Sequence, residues 1–109
     1  MQAKSKAETF IGFAVRANKY RTGMNSVETL KRANLVLVCS TASENTKKQA
    51  LKASKKLHAK IYITIKPLAE LVHKENAKVM AITDSALAKA IVENAEGELT
   101  IFNQENIYG

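Results

Sequence analysis

The chain has 109 residues, 46% of them hydrophobic and 25% charged, with a formal net charge of +7. That length supports one domain with its own core, and that balance belongs to a folded globular chain rather than a disordered one. A lone cysteine, Cys39, excludes an internal disulfide and a cysteine-built zinc site, and no apolar run approaches the roughly 20 residues of a membrane span.

The N-terminal MQAKSKAETF carries charge but no following apolar stretch with a cleavage site, so it does not read as a secretory signal. A cytoplasmic location is expected, without membrane contact. From Lys4 to about Asn18, the residues Phe10, Phe13, Ala14 and Ala17 recur at helical spacing and predict an amphipathic first helix. Tyr20 to Thr22 reads as a short strand. Val27 and Leu30 mark a second helix from Gly23 to Arg32.

Leu35 to Cys39, "LVLVC", is continuously apolar, as in a strand covered on both faces. Thr41 and Glu44 have capping-box spacing for a third helix reaching about His58. Ala50, Ala53, Ser54 and Leu57 share one side of it, while Lys48, Lys52, Lys55 and Lys56 lie on another, the look of a solvated face. "KIYITI" is the next strand, and Pro67 suits the first turn of a short helix through Val72. "KVMAIT" is a further apolar strand. Asp84 can cap a helix containing Leu87, Ala88, Ile91 and Val92, and "ELTIF" alternates like a final strand. Strands alternating with helices predict a three-layer α/β/α sandwich around a small mixed sheet of about four or five strands.

Enzyme readings find little support. His58 and His73 are too far apart for a short helical metal pair, Cys39 ends an apolar strand, and there is no phosphate loop or dinucleotide fingerprint. No nucleophile–base pair is visible, and no cofactor is expected. The positive charge favours a polyanionic partner. The start of the second helix is the best place for one. Free backbone N–H groups suit an anion, Gly23 allows close approach, and Lys19, Arg21, Lys31 and Arg32 flank it in sequence. Asn25 has two readings: a contact to a base edge or phosphate, or, with Glu28, a capping box for its own helix. In "KPLAEL", Leu68 and Ala69 suit either an unstacked base or the core.

The order of these segments resembles the kink-turn RNA-binding ribosomal protein superfamily (L-seven-Ae and L-thirty-e), particularly its small bacterial YlxQ/YbxF-like members. The resemblance covers roughly Thr9 to Asn94 and rests on "FAVRANKYRTGMNSVETLKRANLVLVCSTASENTKKQ", "KPLAEL" and "KVMAITDSALAKAI". It implies a sandwich that binds a bent RNA element. Polar residues at the start of the second helix would contact sheared purine pairs, and backbone and cations would hold phosphates. A later loop would pack small and apolar side chains on extruded nucleotides.

Carried over, Gly23 and Asn25 match the pattern, with Met24 between them. Ser26 stands where the family has glutamate or glutamine, and Thr29 where it has lysine. The loop maps to Leu68 and Ala69, with Ala69 at a usual glycine and His73 at a second. A lost base contact of this kind costs about 1–3 kcal/mol. The expectation is therefore a monomeric, non-enzymatic binder of structured RNA, ribosomal RNA among the candidates, with weakened base readout. The competing expectation is a protein-interaction module on the same fold that has lost specific RNA binding.

Overall fold

The computed structural model describes residues 6–64, 77–94 and 99–101. Its elements are α1 (Lys6–Arg16), β1 (Tyr20–Thr22), α2 (Met24–Glu28), β2 (Leu35–Cys39), α3 (Glu44–Leu57), β3 (Lys60–Thr64), β4 (Val79–Ile82), α4 (Ser85–Glu93) and β5 (Leu99–Ile101). The strands form one sheet in the order β1-β4-β2-β3-β5. Only β2 and β3 run parallel, as expected of strands joined through a helix; β1–β4, β4–β2 and β3–β5 are antiparallel. This is an α/β/α sandwich with a five-stranded mixed sheet.

Alternation along the central strands builds both cores. Leu35, Leu37 and Cys39 face one side, where Ile11 and Ala14 of α1 meet Ala88 and Ile91 of α4. Val36 and Val38 face the other, against Val27 of α2 and Ala50, Leu51, Ala53 and Leu57 of α3. Every residue of β2 is buried, which is why it reads as an unbroken apolar run.

Three local expectations need correction. The buried stripe of α1 is Ala7, Ile11 and Ala14; Phe13 is 42% exposed and Ala17 is exposed. The Phe13 ring instead meets the edge of Phe10 at 5.8 Å, with the Arg16 guanidinium 5.0 Å from its centroid.

Second, α3 is capped by Ser43, whose hydroxyl accepts from the Thr46 N–H at 3.1 Å, and not by Thr41. Thr41 Oγ1 accepts from Lys78 Nζ at 2.9 Å, a partner 37 residues away. Third, α2 stops at Glu28 rather than Arg32. Thr29 turns its hydroxyl back to the Ser26 carbonyl at 2.9 Å, and Leu30 N–H reaches Val27 O in a tighter i→i−3 turn. Such local bonds compete with the helical ladder.

Asp84 caps α4 as predicted, accepting from the Leu87 N–H at 2.9 Å. Asp84→Ala should lower stability by about 0.5–2 kcal/mol. Thermal unfolding followed by circular dichroism checks this; an unchanged midpoint refutes the cap's contribution. Pro67, Leu68, Ala69 and His73, with the helix predicted after Pro67, lie outside the described residues.

Candidate functional site

Strand register defines two ends of the sheet. Gly23 N–H bonds Val79 O at 3.0 Å, Cys39 N–H bonds Lys78 O at 2.8 Å, and Ser40 N–H bonds Thr64 O at 3.0 Å. These bonds place the end of β1, the ends of β2 and β3 and the start of β4 together. At the far end, Thr83 N–H bonds Lys19 O at 3.0 Å and Asn34 N–H bonds Ile82 O at 2.8 Å.

The first end holds the heads of two helices. β1 and β2 both run antiparallel to β4, so α2 and α3 leave this end in the same direction, packed against each other. Gly23 precedes α2 at φ 90° and ψ 141°, a conformation that side-chain-bearing residues rarely adopt, and no side chain caps the turn. A Cβ there would meet nothing within 4 Å, so the glycine answers a backbone requirement and stands in open space. Met24 turns its side chain to the α2/α3 core, while Asn25 and Ser26 are exposed. Asn25 lies inside the helix and does not form the capping box with Glu28.

α2 has five residues, too few for a strong dipole, so the chemistry of this end rests on its exposed groups. Alternating with buried Tyr20, Arg21 stands on the α2/α3 side of edge strand β1, exposed, with Nη1 donating to Tyr20 O at 2.7 Å. Lys78 adds a second exposed cation, tied to Thr41. Thr41 Oγ1 also lies 2.9 Å from the sulfur of Cys39, which is fully buried. Glu44 is the acidic residue of α3's first turn. The result is a polar face of amide, hydroxyl and cationic groups with one carboxylate, that of Glu44.

The predicted four-cation cradle is not assembled. Lys19, Lys31 and Arg32 sit at the far end of the sheet: Lys19 precedes β1, and the chain has returned along α2 before reaching Lys31 and Arg32. The intervening β4 has four residues, which separates the two ends by about 13 Å. Arg21, registered with Ala81, stands between these ends, about 7 Å along β1 from Lys19, while Lys78 lies at one end and Lys31 and Arg32 at the other. Thr29, at the end of α2, has its hydroxyl on Ser26 O. Lys78 escaped the sequence reading because only β4 pairing brings it beside Thr41.

Among the described residues no group of three or more His, Cys, Asp or Glu is arranged to hold a metal ion. Among the same residues, no helix is long and apolar enough to cross a membrane.

No family model and no curated protein matches this chain. Among solved structures, a protein with unknown function from Bacillus halodurans C is similar, with a TM-score of 0.75 and 21% identity over 83% of this chain and 96% of that one. At that identity the likeness is one of fold.

Proposed function

We propose that this chain is a non-enzymatic RNA-binding protein that grips a bent, structured RNA, ribosomal RNA among the candidates, with the end of the sheet where α2 and α3 begin. It acts as a monomer in the cytoplasm. The observation that supports this most is the open, glycine-shaped turn at Gly23, followed by exposed Asn25 and Ser26, with Lys78 at the same end and Arg21 two residues before the turn on the α2/α3 face of the sheet. The net charge of +7 supplies long-range attraction to phosphate, and the resemblance of this segment to kink-turn binders supplies the RNA class.

Base readout is reduced in this reading. Ser26 is short, and Thr29 carries no charge and has its hydroxyl on a backbone carbonyl. Phosphate contacts carry most of the affinity, with steep salt dependence. The test is a titration of a kink-turn RNA against an unstructured RNA of equal length, at two salt concentrations. The kink-turn RNA should bind more tightly, and the double variant Arg21→Ala/Lys78→Ala should flatten its log–log salt slope by about 1.8, for two lost contacts at 0.9 each. Equal, micromolar-or-weaker binding of both RNAs overturns the reading. The Thr29 bond favours one competitor, a protein-interaction module; it is chosen if a cellular partner survives nuclease treatment and is retained by the double variant.

A further inference from the structure

Two of the cations missing from the α2 end, Lys31 and Arg32, line a groove of their own. At the far end of the sheet a depression of about 610 Å³ is lined by Lys31, Arg32, Asn34, His58, Thr83 and Ser85, over a floor of Ala33 and Leu57. Backbone pairing brings these residues together. Asn34 N–H bonds Ile82 O, setting the residues before β2 beside those after β4. Leu35 registers with Lys60, bringing the end of α3 alongside.

The lining chemistry is one-sided. It holds two permanent cations, an imidazole, an amide and two hydroxyls, and no carboxylate. Asp84 lies between the two hydroxyl residues, but its Oδ1 accepts from Leu87 N–H at 2.9 Å. In the adjoining depression, Glu93 is 3.9 Å from Lys89. The C-terminus of α3 also points here, and two of its last four carbonyls are satisfied: Ala59 N–H bonds Ser54 O at 2.9 Å and His58 N–H bonds Lys55 O at 3.2 Å.

His58 adds a second observation. It occupies the left-handed position that ends α3, at φ 55°, where glycine is the usual residue. The backbone there tolerates an imidazole at a conformational cost, and the imidazole lines the groove.

We infer that this groove binds a phosphate group, independently of the α2 end. Lys31 and Arg32 supply the charge, Arg32 the forked donor geometry suited to phosphate, and Asn34, Thr83 and Ser85 the neutral donors. The phosphate belongs either to an RNA backbone or to a free nucleotide. The groove is open and its cations are exposed, which suits a polymer crossing it.

Amide chemical shifts distinguish these sources and separate this site from the α2 end. Inorganic pyrophosphate, adenosine monophosphate and a short single-stranded RNA are titrated in turn into the whole chain. The expected result is saturable shifts at Lys31, Arg32, Asn34, His58 and Ser85. They should come at lower concentration with the RNA if a backbone is the ligand, and equally with the mononucleotide if a free nucleotide is. Lys31→Ser/Arg32→Ser should abolish them while leaving the rest of the spectrum in place, since both side chains are exposed. His58→Gly should keep the fold, relieve the left-handed strain and weaken binding several-fold. Shifts at Met24 to Ser26 with none in the groove overturn the inference and leave the proposed RNA contact standing. Groove shifts that persist unchanged in the double variant also overturn it.

Discussion

Leu37→Ala is expected to lower the unfolding free energy by about 2–5 kcal/mol, the largest effect of any single substitution considered. Leu37 is 0% exposed in the middle of β2, registered with Tyr62 of β3 on one side and Met80 of β4 on the other. Its side chain belongs to the layer that joins α1 and α4 to the sheet. Both neighbouring strands hold the backbone there, so the site cannot collapse, and the lost methyl groups leave a cavity. A domain of this size has about 5–15 kcal/mol of stability in total, so the variant stands near its unfolding threshold. Denaturant titration reads the effect as a lower midpoint at unchanged slope. A loss below about 1 kcal/mol contradicts this view of the packing.

The same glycine-to-alanine change should have opposite signs at two positions. Gly23→Ala is expected to destabilise by about 1–3 kcal/mol, because φ 90° and ψ 141° lie near a region reserved for glycine. Gly12→Ala, inside α1, should stabilise by about 0.5–1 kcal/mol, since alanine loses less backbone freedom there. Neither Cβ would meet an atom within 4 Å, so backbone conformation alone sets the sign in each case. Gly23→Ala should also weaken RNA binding, because relaxing φ re-aims the backbone of Met24 to Ser26. Two thermal melts and one RNA titration decide the matter; equal shifts in both melts refute the conformational argument.

Elements whose pattern is dictated by burial were legible. "LVLVC" announced β2 because strands on both sides and helices on both faces leave it no polar position. Asp84 announced its cap, although Thr83 and Ser85 flank it, because it stands directly before the helical run of Leu87, Ala88, Ile91 and Val92. Thr41 and Ser43 offered two caps within three residues, and spacing alone chose wrongly, since Lys78 claims Thr41 through a contact formed only in the folded chain. The site failed for a related reason. Lys19, Arg21, Lys31 and Arg32 are neighbours along the chain, yet β1 carries it to one end of the sheet and α2 brings it back. Lys31 and Arg32 are therefore carried away from the Gly23 turn, while Lys19 and Arg21 stay about 7 Å apart along β1.

The strand order has a consequence for how the molecule is made. β4 lies between β1 and β2, so β1 has no hydrogen-bonded place in the sheet until residues 79–82 have been synthesised. During translation the β2–α3–β3 unit can assemble first, because its paired strands are 25 residues apart, while β1 waits for β4. A ribosome-stalled chain ending before Val79 should therefore leave α1 and β1 open to protease while residues 35–64 resist it. Arrival of β4 is the step that locks the beginning of the protein to its middle.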